Sequence, residues 1–565
     1  MNYNILGIHP GHNSSAALLS NGELIYYLEE ERLSRMKRDG NPFRVMVDIC
    51  SKYKVDELVI GGTNSSKEWN TLPWNNENPY VALVRKYNPN IKITQLNHEH
   101  HLLHASCAFY NSGFNKAAIL VIDGAGSYRE YKEIPVNNSF EIESIYKFEF
   151  KKDIKCVYKN HSINGGDRLS WKNFYFFNDN VGITKAYEAV TDYLGWHPIE
   201  AGKTMGLAPY GKFNKNIPPM FEKGGGKRNI FIPDYPSGAF IDDITNPIFQ
   251  KNPNKKSFHN NQNNLLEIDA DLAWHIQNDT QEEVAKLIEK ATNLTGLNKI
   301  CIVGGYGLNC VTNYFIKKKF PNIEIYHEPI SHDGGTAIGA AKFIYHQRKN
   351  NFKKRKQTSI YLGPKYSTEV IDNSIKSYNN IFNIHDIKPN NVAKLISENN
   401  IVTIFQGRSE AGPRALGNRS ILYNPTDPNG KDFVNKVKKR EWFRPFAGTV
   451  LLEKANEWFD MAGLEESPFM MYAMDVWPDK QNQLQAITHI DGTCRIQTVT
   501  EEQNPHYYKL IQEFEKITGV PILFNTSFNL AGDPLVETIE DALETMIKSE
   551  MKYMYVPELN YLLEK

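Results

Sequence analysis

Three β-rich apolar runs in this chain stop at glycine, and that recurrence narrows the possible folds more than any other feature. They are "NILGIHPG" near residue 7, "AAILVIDGAG" near residue 124 and "KICIVGGYGLN" near residue 304. A strand followed by a tight glycine turn lets backbone N–H groups approach phosphate oxygens closely. "SSAALLSNG", "ELIYYLEEERLSR", "VDELVIGGT" and "IKITQL" read as further strands joined to helical patterns. The repeated grammar predicts an α/β domain with internal duplication, able to cradle a nucleotide. None of the three turns is GxGxxG or a Walker sequence, so neither a dinucleotide site nor a P-loop is expected.

Between the first and second turns the run "HEHHLLHASCAFYNSGF" places His100 and His104 four apart in a helical segment. Such a pair lies on one helix face, roughly 5–6 Å apart, which suits two imidazoles sharing one metal ion. The following strand ends in Asp123, a natural third ligand. A zincin is excluded, because His-Glu-x-x-His is absent. A solvated or core histidine cluster remains the competing reading.

At 565 residues the chain should form at least two domains. The polar stretch "HQRKNNFKKRKQTS" reads as a linker or solvated surface. It sets the expected boundary between residues 1–355 and 356–565. The second domain is dense in oxyanion binders: Arg408, Arg414 and Arg419, then Lys438, Arg440 and Arg444. The segments "THIDGTCRIQTV" and "PILFNTSFN" (with Ser527) follow. Guanidinium forks bind phosphate or carboxylate through paired planar hydrogen bonds. Flanking glycines and prolines would hold them on rigid turns, so a small phosphorylated substrate is expected. Surface salt bridges with Glu410, Glu441 and Asp491 are the bland alternative, at about 0–1 kcal/mol each.

Equal numbers of basic and acidic residues, 65 each, give no general pull toward polyanions. Six cysteines without a CxxC pair are too sparse for a disulfide framework. A reducing cytoplasm is therefore the expected setting. The amino terminus lacks a signal-peptide pattern, and no apolar run has the length to span a bilayer.

Ten collinear blocks resemble the carbamoyltransferase family that includes nodulation and antibiotic O-carbamoyltransferases. They include "GIHPGHNSSAALL", "EEERLSRMKRD", "HHLLHASCAFYNSGF", "VIDGAGS", "AGKTMGLAPYG", "VGGYGLN", "HDGGTAIGAA", "GRSEAGPRALGNRS", "VKKREWFRPFAG" and "NTSFN". The resemblance implies an actin-like (ASKHA, Kae1-like) amino-terminal domain and a YrdC-like α/β carboxyl-terminal domain. It implies that carbamoyl phosphate and ATP (with Mg) give carbamoyl adenylate in the second domain. The carbamoyl group then passes to an acceptor hydroxyl in the first. By the same resemblance His100, His104, Asp123 and Asp333 bind iron(II) or another divalent metal. Gly304, Gly305 and Asn309 face the nucleotide. Arg414, Arg419, Lys438, Arg444 and Ser527 hold carbamoyl phosphate, and His12 and Lys37 lie near the transfer site as catalytic groups. A homodimer is common in the family. The chain departs from the usual pattern at Asn13 (usually Asp), Glu99 (usually Asp) and Tyr306 (usually small and apolar).

A small molecule or glycan is the expected acceptor. Three basic runs, Lys251 to Phe258, Lys317 to Phe320 and Arg348 to Lys356, raise DNA carrying 5-hydroxymethylcytosine as an alternative. A buried base would then have to be flipped out. A sugar-kinase-like phosphotransferase is a second alternative, but it leaves the second-domain arginines without a role. A non-catalytic binding module would leave both constellations idle. Threonylcarbamoyl transfer to tRNA would use threonine and bicarbonate in place of carbamoyl phosphate.

Overall fold

The computed structural model describes residues 3–62, 78–129, 139–150, 152, 154–164, 174–176, 182–217, 219–221, 231–234, 238–241, 267–348 and 355–565. The chain divides into two compact units, residues 1–30 with 38–358 and residues 31–37 with 359–565. The units part at residue 358, three residues past the expected boundary, and the second also takes in a short piece of the amino-terminal region.

The first unit holds two large sheets. One is built from β1 (Asn4–His9), β2 (Ser15–Ser20), β3 (Glu23–Glu29), β4 (Glu57–Ile60) and β5 (Lys92–Gln95), in the order β3-β2-β1-β4-β5. The next strands are β6 (Lys116–Ile122), β7 (Tyr128–Arg129), β8 (Ser139–Glu149), β9 (Lys155–Asn164) and β10 (Phe174–Phe176). A separate ribbon joins β11 (Phe231–Asp234) to β12 (Gly238–Ile241). With β13 (Lys299–Val303) and β14 (Glu324–His327), the second sheet runs β10-β9-β8-β6-β13-β14, and β7 pairs with β8. In both sheets the central strand has an antiparallel neighbour on one side and a parallel neighbour on the other: β1 between β2 and β4, and β6 between β8 and β13. The order 3-2-1-4-5 thus occurs twice, with β10 added at the edge of the second sheet, as the duplicated frame implied by the family resemblance would require. This is the internal repetition that the strand–glycine turns predicted. After its first residue each central strand is fully buried, and apart from His9 at the end of β1 those buried positions carry no polar side chain, as strands covered on both faces should.

Helix α1 (Glu30–Ser34) falls, from residue 31, in the second unit; the first unit includes α2 (Phe43–Lys52), α3 (His100–Ser112), α4 (Glu267–Thr295), α5 (Cys310–Lys319) and α6 (Gly335–Arg348). Gly113, at φ 74°, ends α3 in the left-handed conformation that suits glycine at a helix terminus. The sequence of α6, "GTAIGAAKFIYHQR", is small-residue-rich for a steric reason. A Cβ at Gly339 would stand 1.9 Å from the Leu103 carbonyl oxygen, and one at Gly7 would stand 2.1 Å from that of Ala337. Glycine therefore lets α6 lie directly on α3 and on β1, and brings the start of α6 beside the start of α3.

The second unit is α/β, built on a nine-stranded mixed sheet. Its strands are β15 (Asn383–Asp386), β16 (Val402–Phe405), β17 (Arg419–Tyr423), β18 (Ala447–Leu451), β19 (Ala473–Asp475), β20 (Thr493–Val499), β21 (Ile522–Ser527), β22 (Tyr553–Val556) and β23 (Tyr561–Glu564). They run in the order β15-β23-β22-β16-β17-β21-β18-β20-β19. The helix α7 (Gly430–Val437) delivers Lys438 and the arginine loop after it. No helix among the described residues is long and apolar enough to cross a membrane.

Candidate functional site

In the first unit, the starts of α3 and α6 and the end of β6 converge. One donor atom each from His100, His104, Asp123 and Asp333 lies within 4.8 Å of the other three, and all four residues are buried. His104 Nε2 is 3.0 Å from His100 Nε2, which is 3.2 Å from Asp123 Oδ2. Asp333 Oδ1 lies 3.7 Å from His100 Nε2 and 3.6 Å from His104 Nε2. Donors about 2.0–2.2 Å from a common ion stand about 3.0–3.5 Å apart at tetrahedral or octahedral angles. The two shorter separations match that spacing and the two to Asp333 exceed it by about 0.2 Å, so a small inward shift of Asp333 would close the set on one ion. Two imidazoles and two carboxylates fit iron(II) or a similar divalent ion. The competing core-cluster reading holds for His101 instead. Its Nδ1 pairs with Ser144 Oγ at 2.7 Å, and burial pushes its pKa down to about 3, so it packs as a neutral ring.

Burial would raise both aspartates, and each repels the other, yet both are held below the usual carboxylate range. His100 and His104 outweigh those effects at Asp123; His12, His100, His104 and His9 do so at Asp333. Burial opposes charging of His100, but Asp333, Asp123 and Glu141 raise it overall. A buried pair of ionised carboxylates facing imidazoles favours a cation.

The glycine turn after β13 supports this cluster from behind. The Gly305 N–H donates to Asp123 Oδ1 at 3.2 Å, leaving Oδ2 toward His100. Gly304 has φ +97°, and a Cβ there would stand 2.3 Å from the Ile122 carbonyl oxygen, so only glycine fits. The Asn309 side chain is engaged in structure: it caps α5 by accepting from Thr312 N–H at 3.0 Å, and it pairs with Gln277. The Tyr306 hydroxyl is likewise turned inward, onto Thr280 and Thr312.

His12 lies on the loop after β1, its side chain 51% exposed, with Nε2 3.5 Å from Asp333 Oδ2. Asn13 beside it has φ 60°, a left-handed position that asparagine and aspartate tolerate better than most residues. His9, at the end of β1, is a residue that spacing did not single out. It is fully buried, with Nε2 3.7 Å from Asp333 Oδ2 and Nδ1 2.8 Å from Thr336 Oγ1. Burial pushes its pKa down to about 3. The internal repeat was its available signal, since His9 ends β1 where Asp123 directly follows β6.

In the second unit, Lys438 is buried, and its ammonium donates to the Ser527 carbonyl, to Asn529 O at 2.9 Å and to Asn529 Oδ1 at 3.1 Å. Desolvation, then Arg440, Lys37 and Arg444, hold its pKa well below the usual lysine range. Arg440 is half-buried near Arg444, Arg495 and Arg414, with Glu441 as the opposing charge, and desolvation followed by Arg444 lowers its pKa. Lys37 thus belongs with this cationic cluster in the second unit, while His12 belongs to the first unit. Glu410 is no surface partner. Its buried carboxylate accepts from the N–H groups of Leu416, Asn418 and Arg419 and so shapes the loop carrying Arg414. Arg419 departs from the expected role. It is 0% exposed, and its guanidinium donates to the carbonyls of Glu537, Gln406, Asn418 and Gly407 while stacking on Phe405. Four of its five N–H donors are used this way and the Glu537 carboxylate lies 4.0 Å from Nη2, so this fully buried side chain ties loops together rather than facing a ligand.

Residues 80–342 match the family model described as "Carbamoyltransferase N-terminus", and residues 393–565 match "Carbamoyltransferase C-terminus". The Synechocystis protein sll1178 is 31% identical over 99% of this chain and 96% of its own length. The chain belongs to the carbamoyltransferase family. The chain is also similar to nodulation protein NolNO of Sinorhizobium fredii, 29% identical over 98% of this chain and 79% of that relative. Nodulation protein NolO of Bradyrhizobium diazoefficiens is 30% identical over 81% and 77%. Among solved structures, full-length HypF in its phosphate- and nucleotide-bound form aligns over 61% of this chain and 55% of that one. The TM-score is 0.34 and the identity 11%. The family makes this chain a transferase.

Proposed function

We propose that this carbamoyltransferase is an ATP-dependent O-carbamoyltransferase. Water hydrolyses carbamoyl phosphate to carbamate and phosphate; a carbamate oxygen then attacks the α-phosphorus of ATP, pyrophosphate leaves, and carbamoyl adenylate forms. An acceptor hydroxyl then attacks the carbamoyl carbon, and AMP leaves. The observation that carries the reading is the convergence of His100, His104, Asp123 and Asp333 at the end of a duplicated strand–glycine frame.

The cationic cluster of Arg414, Arg440, Arg444, Lys438 and Lys37 suits the first stage. An ammonium whose pKa is lowered first by burial and then by neighbouring cations is relieved by an arriving phosphate anion. Ser527, beside Lys438, adds a hydroxyl to the same region. For the second stage, a bound divalent ion would polarise a carbonyl or phosphate oxygen. His12 supports acceptance of the hydroxyl proton, since it is solvent-exposed and held near Asp333. Gly305 orients Asp123, and Gly304 permits the close turn beside it.

A small molecule or glycan is the preferred acceptor. Of the basic runs that would favour DNA, residues 251–258 and 349–354 lie outside the described residues. In the described run, Lys319 pairs with Glu282 and Lys318 lies over Tyr314.

The test incubates the protein with ATP, carbamoyl phosphate and iron(II), offering hydroxylated sugars and nucleosides or hydroxymethylcytosine DNA, and reads products by mass spectrometry. One added carbamoyl group with AMP release is expected on a sugar or small molecule. ATP consumption indifferent to carbamoyl phosphate would favour a phosphotransferase and defeat the proposal. Replacing both His100 and His104 with Ala should remove bound iron and transfer while leaving the fold intact.

A further inference from the structure

Asp333 turns its two oxygens toward two different pairs of imidazoles. Oδ1 faces His100 and His104, while Oδ2 lies 3.7 Å from His9 Nε2 and 3.5 Å from His12 Nε2. Asp333 Oδ2 and His9 Nε2 are both buried, and neither has a hydrogen-bond partner. The proton positions follow from Thr336. Its hydroxyl lies 2.7 Å from the Asp333 carbonyl oxygen, which can only accept, so the hydroxyl proton points there. The same hydroxyl oxygen is 2.8 Å from His9 Nδ1, so Nδ1 must carry the proton that closes this contact. In a neutral ring Nε2 then presents a lone pair to a carboxylate oxygen. Two lone pairs facing each other in a dry interior repel, unless a cation lies between them.

The spacing suits one. Donors about 2.0–2.2 Å from a shared ion are at most about 4.4 Å apart. His9 does not belong to the first cluster, because the donors that lie mutually within 4.8 Å are those of His100, His104, Asp123 and Asp333.

We propose a second divalent-cation site formed by His9 Nε2, Asp333 Oδ2 and His12 Nε2, so that the Asp333 carboxylate bridges two ions. This rests on the four-donor metal centre of the proposed function. Two imidazoles and one carboxylate select manganese, iron, cobalt or zinc over magnesium or calcium. The duplicated fold accounts for the pairing: one site takes its donor from the end of β1, the other from the end of β6. The exposed His12 leaves the second ion open toward solvent, where an oxygen of a substrate can complete its coordination; with the ion bound, His12 Nε2 serves as a ligand in place of accepting the hydroxyl proton.

The full chain is stripped of metal, reloaded with manganese(II) and washed; bound metal is then counted and the electron paramagnetic resonance spectrum recorded. Two ions per chain with an exchange-coupled signal are expected. His9→Ala should reduce the count to one and leave an uncoupled signal. His12→Ala, a change at an exposed side chain, should weaken binding of one ion at least tenfold and carries the test if His9→Ala does not fold. One ion per chain in the wild type would overturn the second site and leave the four-donor centre standing. No bound ion would overturn both, and two coupled ions retained in both variants would remove His9 and His12 from the centre.

Discussion

Arg419 and Lys438 both looked like ligand-binding cations, yet their surroundings assign them to different tasks. Arg419 spends its guanidinium on four backbone carbonyls, so Arg419→Met would leave buried acceptors unpaired. A loss of about 3 kcal/mol or more is expected in denaturant unfolding. Arg444, partly exposed and held by Glu441 at 3.3 Å, should behave oppositely. Arg444→Ala should shift stability by about 1 kcal/mol or less while suppressing AMP formation that depends on carbamoyl phosphate. If Arg419→Met unfolds like the wild type, or Arg444→Ala keeps full activity, this division of roles fails. Sequence placed both arginines in glycine-rich turns, but a guanidinium facing a ligand and one facing carbonyls leave the same trace in sequence. His9 was nearly as hidden: a single histidine at a strand end has no spacing signature, and apart from its place in the internal repeat only contact with Asp333 and Thr336 marks it.

The elements tell a clearer story, because their signals are local. The helical segment carrying His100 and His104 and the strand stops near Asp123 and Gly304 were visible as patterns. What patterning did not reveal was why α6 needs its glycines. At Gly339 a single methyl would collide with Leu103 of α3, so Gly339→Ala must push the two helices apart. We expect a cost of about 1–3 kcal/mol. Bound metal should fall with it, because the same approach sets Asp333 beside His100 and His104; unchanged metal content would refute that coupling. A second element-scale effect lies in β14. Burial, reinforced by Lys317, pushes the His327 pKa down to about 3. An unfolded chain binds a proton near pH 6.5 that the folded chain refuses. The His327 contribution to stability is therefore complete above that pH and is lost as pH falls toward 3. The loss is at most about 1.4 kcal/mol per pH unit. His327→Leu should make the decline between pH 6.5 and 5 shallower by about 2 kcal/mol in denaturant titrations. An identical slope would mean that the imidazole is not held neutral.

At the scale of the whole molecule, the short segment 31–37 belongs to the second unit although it lies within the first in sequence. Arg32 donates to the Gly412 carbonyl at 2.8 Å, and Arg35 reaches the carbonyls of Pro534 and Leu535 and the carboxylate of Asp541. Replacing Arg32 and Arg35 together with Ala should lower the unfolding transition of the second unit by about 2–4 kcal/mol. The first unit should be little affected. Two transitions that move together, or neither moving, would count against the assignment. "EEERLSRMKRD" reads locally as a charged helix end, and a linear reading of the linker could place a boundary only near residue 355. By itself the sequence determined the α/β class, the duplicated strand–turn grammar, the histidine pair and the family, because these depend on local periodicity, turn chemistry and motif order. Tertiary structure alone decided which donors meet, which arginine is spent on the backbone and where residues 31–37 belong. Those outcomes depend on contacts between residues far apart in the chain, which local propensity does not encode.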